Sequence, residues 1–97
     1  MPPPNITGQL HMGHALFLTL QDIQSRFHAL IGDDTLWLPG TDHAGLATHE
    51  KILQTMKQTG EDPTDRQSYL KTGWEWKERL HATITSQIKR MGASCDW

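Results

Sequence analysis

The sequence predicts an α/β unit in which short parallel strands alternate with crossover helices. A proline-stiffened start, Pro2 to Pro4, runs through a glycine turn into a long apolar stripe of helical period. A second short apolar run, Thr35 to Leu38, is bounded by turn residues and again opens onto a helical stretch. Strand, helix, strand, helix in that order is the parallel α/β pattern, whose crossover is right-handed. The pattern places a βαβα unit over residues 1–62 and a helical extension over 63–97.

Residues 2 to 7 read as the end of a strand, with the prolines confining it to an edge or an exit. From Met12 to Ile31 the residues Leu16, Leu20, Ile23, Phe27 and Leu30 recur at steps of four, three, four and three. That is a stripe expected to be buried, with Gln21, Ser25 and His28 on the outer side. Gly32 and the Asp33-Asp34 pair end it. Thr35-Leu36-Trp37-Leu38 reads as a buried strand closed by Pro39-Gly40. Leu46, Ile52, Leu53 and Met56 mark a second helix that stops at Gly60. Thr64-Asp65-Arg66-Gln67 is a capping box after Pro63. It opens a third helical stretch with the stripe Leu70, Trp74, Leu80, Ile84, Ile88 and Met91 and an expected bend at Gly73. Lys71, Glu75 and Arg79 stand four apart as an alternating-charge line. Trp74 and Trp76 bracket one charged residue and read as core and flank rather than as base-stacking platforms.

Ninety-seven residues make one small domain, marginally stable on its core alone. A net charge of −2 gives no basic field for nucleic acid. The single Cys95 excludes an internal disulfide. No apolar run approaches the roughly 20 residues of a membrane span, and no basic-then-apolar signal segment follows Met1. The expected compartment is the cytoplasm.

The organising stretch is Asn5-Ile6-Thr7-Gly8-Gln9-Leu10-His11-Met12-Gly13-His14. His11 and His14 fall at the mouth of the first helix, where backbone N–H groups lack intrahelical partners and an anion such as phosphate is readily held. A second turn, Pro39-Gly40-Thr41-Asp42-His43-Ala44-Gly45, opens the second helix. The two histidines could also supply two metal ligands, but no third ligand stands at familiar spacing and Cys95 is alone, so no metal site is expected.

Pro-Pro-Pro-Asn-Ile-Thr-Gly-Gln-Leu-His-Met-Gly-His-Ala resembles the first signature of the class I aminoacyl-tRNA synthetases. Together with the 39–45 turn and Gly92-Ala93-Ser94-Cys95-Asp96-Trp97 it resembles the valyl branch of that family. The three blocks stand in the family's order, and the resemblance runs from Pro2 to Trp97. It implies the first half of a Rossmann-like nucleotide-binding fold, with helix-rich character. It also implies a valine-tRNA ligase activity: ATP, carried with Mg2+ as substrate, and valine form valyl-adenylate, and the intact enzyme then esterifies tRNA(Val). No tightly bound cofactor is expected.

By this resemblance His11 and His14 donate to the phosphates of ATP, where charge accumulates in the transition state. Gly13 lets the nucleotide approach the backbone, and His43 lines the adenosine pocket or starts a helix at the surface. Pro3, Pro4 and Asn5 form the floor of the valine site. Asp42 accepts the α-ammonium group of valine, or caps the following helix, or does both. A rigid apolar wall discriminates one methylene by only about 1–3 kcal/mol and does not strongly exclude threonine, so the family adds a separate editing domain. His49, Phe17 and the His81-Ala82 pair depart from the family's usual residues, outside the three blocks.

The second family signature, a Lys-Met-Ser-Lys-Ser-like loop, does not occur in these residues. Nor do the second half of the nucleotide fold, the editing domain or the anticodon-binding helices. Met1 falls inside the family's first strand, which leads to the expectation of a truncated or designed piece. Such a piece is expected to bind ATP and valine weakly with little turnover. Two alternatives are a non-catalytic synthetase-like binding fragment and an inert relic. A bare sheet edge would favour self-association or pairing with the missing half.

Overall fold

A computed structural model describes residues 1–97 as three helices, α1 (Met12–Leu30), α2 (Leu46–Thr59) and α3 (Arg66–Arg90), joined by extended and turn segments. The helix limits follow local chemistry. Gly32 takes a positive φ of 94° just beyond α1. Gly60 takes φ 75° as the left-handed cap of α2 and donates its N–H to the Met56 carbonyl. Asp65 caps α3 by accepting from the N–H groups of Gln67 and Ser68. The cap is therefore Asp65, not the Thr64 that the capping-box spacing suggests. Thr64 belongs to the preceding turn and donates to Asp62.

α3 is the spine. Leu80, Ile84 and Ile88 on its C-terminal half gather Ile6, Leu18 of α1, Trp37 and Cys95 into the core. Trp76 packs on that cluster and donates its indole N–H to the Ile6 carbonyl at 2.8 Å. Toward its start, α3 meets α2. There α3 continues unbroken through Gly73, and a side chain at this position would meet Ile52 Cδ1 at 3.5 Å. Leu70, Trp74 and Met91, expected on the buried stripe, are exposed. The Lys71–Glu75–Arg79 line forms no ion pair, and Arg79 lies 4.9 Å over the Trp76 ring instead.

The expected strands do not form. One isolated parallel bridge joins Asn5 to Asp42, with Ile6 N–H donating to the Asp42 carbonyl at 2.9 Å and Asp42 N–H to the Pro4 carbonyl at 2.8 Å. Thr35–Leu38 pairs with no strand, and Leu36 and Leu38 are exposed. Trp37 exchanges bonds with Asp96 across 59 residues: its N–H reaches the carboxylate at 3.1 Å and its carbonyl accepts Asp96 N–H at 3.0 Å. A ladder needs neighbours on its hydrogen-bonding edges, and one bridge is too little to propagate a sheet. The helix-rich character stands without the Rossmann-like strand pattern, and no sheet edge exists to seek a partner.

The largest departure is α1. Its stripe Leu16, Leu20, Ile23, Phe27 and Leu30 faces solvent, and only Leu18 is buried. The inward face is the polar one. Gln21 accepts the Trp37 indole N–H at 3.1 Å. Asp22 accepts Ser94 N–H at 2.8 Å and Ser94 hydroxyl at 2.5 Å, and Arg26 donates to Asp22 and to the Gly92 carbonyl. No helix is long and apolar enough to cross a membrane.

Candidate active site

His11 is the N-cap of α1, with extended backbone (φ −124°, ψ 177°). Its Nδ1 accepts Gly13 N–H at 3.1 Å, and His14 Nδ1 reaches back to accept His11 N–H at 3.3 Å. This is a capping box built from two imidazoles, and the rings sit 4.0 Å apart, tilted by 56°. A ring nitrogen that accepts a backbone N–H carries no proton. Both rings are thereby assigned the tautomer with the proton on Nε2. Burial lowers the His14 pKa, and the neighbouring His11 adds to the effect, so His14 is neutral at physiological pH. The helix mouth presents two Nε2–H donors and the positive end of the α1 dipole.

Gly13 is fixed by this arrangement. A Cβ there would stand 2.9 Å from His11 Cε1 and 3.1 Å from its Nδ1. The turn before the pair is held from afar: Leu10 N–H donates to Gln87 Oε1 of α3 at 3.0 Å. Gln87, Arg90 and Met91 line a cleft with Leu10, His11 and Met12. Arg90 thus brings a guanidinium to the cleft that His11 lines. Sequence reading missed both Gln87 and Arg90, which lie more than 70 positions away and belong to no motif.

Asn5 and Asp42 are brought together by the parallel bridge, with Pro4 supplying a carbonyl to it. Asp42 Oδ1 accepts Ala44 N–H at 3.0 Å, closing a turn. It does not cap α2, whose N-cap is Gly45 at φ 108° with no side-chain partner. Pro3 lies against Gly40 across the same bridge, 3.6 Å from where a side chain would begin. His43 points elsewhere, into a groove between α2 and α3 with Ile6, Thr48, Tyr69 and Trp74. His49 pairs with the Tyr69 hydroxyl at 2.6 Å. No group of three or more His, Cys, Asp or Glu side chains is placed to hold a metal ion.

The third sequence block has a structural task. Ser94 ties to Asp22, Cys95 enters the core and Asp96 pairs with Trp37, so residues 92–97 clasp α1 to the 35–38 segment.

A valine–tRNA ligase (chloroplastic/mitochondrial 2) of Arabidopsis thaliana is 56% identical over 99 residues, covering 100% of this chain and 10% of its own length. Valine–tRNA ligases of Carboxydothermus hydrogenoformans and Cereibacter sphaeroides are 52% and 54% identical, again over 100% of this chain and 11% and 10% of their own. The chain therefore spans about a tenth of the length of these relatives. No solved structure matches. The family pattern described as tRNA synthetases class I (I, L, M and V) matches residues 1–97, and the chain belongs to that family.

Proposed function

We propose that this chain is the first-signature part of a valine–tRNA ligase catalytic domain. In this reading the α1 mouth holds the phosphates of ATP, and the Asn5–Asp42 bridge holds valine. The observation that carries it is the reciprocal histidine cap. Using both Nδ1 atoms for the helix leaves two Nε2–H donors at a dipole end, where an oxyanion is stabilised without reorganisation. His11 and His14 serve as phosphate donors, and Gly13 keeps the His11 ring in place beneath the nucleotide. His43 approaches the adenosine. Asp42 has one carboxylate oxygen committed to Ala44 N–H, and the other takes the α-ammonium of valine above Pro3, Pro4 and Asn5.

In the intact enzyme the valine carboxylate attacks the α-phosphorus of ATP and pyrophosphate leaves. tRNA(Val) then accepts the valyl group. Mg2+ arrives on the nucleotide. The cytoplasm is the proposed compartment. These 97 residues contain no Lys-Met-Ser-Lys-Ser-like sequence, so on their own they bind ATP and valine with little turnover. Residues 1–62 carry the site and 63–97 support it.

The test is valine-dependent exchange of pyrophosphate into ATP, run beside ATP binding by calorimetry. For each donor lost, a drop of about 10²–10³-fold is expected in a longer polypeptide that completes the domain. In the 97-residue chain His11→Ala/His14→Ala should abolish calorimetric ATP binding. Unchanged ATP binding in that double variant refutes the site.

A further inference from the structure

We propose that Gln87 is a positioning residue of the α1 mouth: its bond to Leu10 sets where the His11–His14 pair stands. The inference rests on the reading above, in which that pair receives the phosphates of ATP. The mouth has little else to hold it. From His11 to Phe17 no residue is buried, and Leu18 is the first of α1 to enter the core. About 10 Å of helix separates Leu18 from His11, at 1.5 Å per residue. The side-chain bonds that tie α1 to distant parts of the chain run from Gln21 to Arg26, farther along still.

Between Gly8 and Leu20 one hydrogen bond reaches another element, from Leu10 N–H to Gln87 Oε1 at 3.0 Å across 77 residues. Leu10 is also packed, partly buried, against the core cluster. Gln87 offers a fixed point. It lies in the last turn of α3 between the buried Ile84 and Ile88, and its carbonyl accepts Met91 N–H at 3.1 Å.

The bond acts on the cap through the backbone. Leu10 directly precedes His11, whose extended conformation lets its ring accept Gly13 N–H. The residue before an N-cap fixes the angle at which the chain enters a helix. Held against α3, Leu10 gives the two imidazoles one location relative to the core. Donors for an oxyanion need that, because a functional group must stay within about 0.5 Å of its productive place.

The test takes the 97-residue chain in two variants. Gln87→Met keeps the length of the side chain without its acceptor, and Gln87→Glu keeps an acceptor. Without ligand, amide exchange at Leu10, His11 and Gly13 should quicken about tenfold in Gln87→Met and stay at the parent rate in Gln87→Glu. The His14 pKa should climb in Gln87→Met toward its ordinary value of 6.5. By calorimetry Gln87→Met should bind ATP about ten- to a hundredfold more weakly, with an unchanged far-UV spectrum. If Gln87→Met loses its cooperative melt, Gln87→Ala, which adds no apolar bulk to the cleft, is read in the same way. Parent exchange rates at His11 and Gly13 in Gln87→Met overturn the proposal. So does equal quickening in both variants, or an unchanged ATP affinity once the cap has loosened. A parent chain that binds no ATP refutes the phosphate reading instead, and faster His11 and Gly13 exchange in Gln87→Met then still assigns Gln87 to the mouth.

Discussion

At residue scale, His11, Gly13 and His14 form one coupled device, because the His11 ring occupies the space a side chain at position 13 would need. Early in a helix, Gly→Ala ordinarily gains up to about 1 kcal/mol. Here the new methyl displaces the ring that accepts Gly13 N–H, and loss of an N-cap acceptor costs about 1 kcal/mol. Gly13→Ala alone is therefore expected to leave stability unchanged or lower. In a His11→Ala background the same substitution should stabilise by up to about 1 kcal/mol. A double-mutant cycle by thermal melting checks this, and additivity would show that the ring and position 13 are independent.

The pH response of His14 has a definite sign. Its folded pKa lies below the ordinary value of 6.5, through burial and then through His11. As pH falls past that ordinary value, the unfolded chain takes up the proton first. The contribution of His14 is thus complete above pH 6.5 and lost as pH falls toward the folded value. Melting temperature should drop less between pH 7.5 and 5.5 in His14→Asn, which can still accept from His11 N–H, than in the parent chain. Equal slopes would remove His14 from the acid response.

At the scale of elements, what was legible is what is local. Gly60, Gly32 and the Asp65 region act through bonds within a few residues, so the helix limits could be read from sequence to within a residue or two. The strands could not, because a strand exists only through partners, and here Asn5 finds Asp42 alone. The orientation of α1 was hidden for a related reason. Periodicity reveals that a helix has an apolar face but not what lies against it. Here Gln21, Asp22 and Arg26 win the inward side through partners as far as 72 positions away. The position of the histidine pair at a helix mouth was readable, and the approach of Gln87 and Arg90 to it was not.

The Asp22–Ser94 contact gives that argument a test. Burial pushes the Asp22 carboxyl up, but bonds from Ser94 and Arg26 outweigh it and the net shift is downward. Burial, and then the Asp22 charge, raise the Cys95 thiol, so Cys95 reacts slowly while the clasp is shut. Asp22→Ala removes the acceptor of both Ser94 bonds, which water replaces only in part, at a cost of about 0.5–1.5 kcal/mol. Labelling of Cys95 by a disulfide reagent should accelerate about tenfold, the ratio that 1.4 kcal/mol provides. Ser94→Ala retains the Asp22 charge and should accelerate it too. Acceleration by Asp22→Ala alone would mean that charge, not opening of the clasp, controls the thiol.

At the scale of the whole molecule, the chain is long and thin, 55 × 23 × 20 Å, with a radius of gyration of 16.5 Å. A compact domain of this length would have about 13 Å. Only 11 of 97 residues are buried, and three of the seven in the main cluster, Leu80, Ile84 and Ile88, stand on α3. Stability of about 0.05 kcal/mol per residue, the low end for native proteins, gives roughly 5 kcal/mol in all. Ile84 is wholly buried, and trimming such an isoleucine to alanine costs about 2–5 kcal/mol. Ile84→Ala is therefore expected to lower the melting temperature by roughly 10 °C or more, at about 4–8 °C per kcal/mol, or to abolish the cooperative transition. Leu20→Ser, on the open face of α1, should stay within about 0.5 kcal/mol of the parent. The contrast separates two kinds of apolar residue that share one sequence pattern. Those on α3 hold this chain together, and those on α1 stand open to solvent. Equal losses for the two variants would mean that α1 turns its stripe inward in solution, and the fold would have to be redrawn with the helix rotated about its axis.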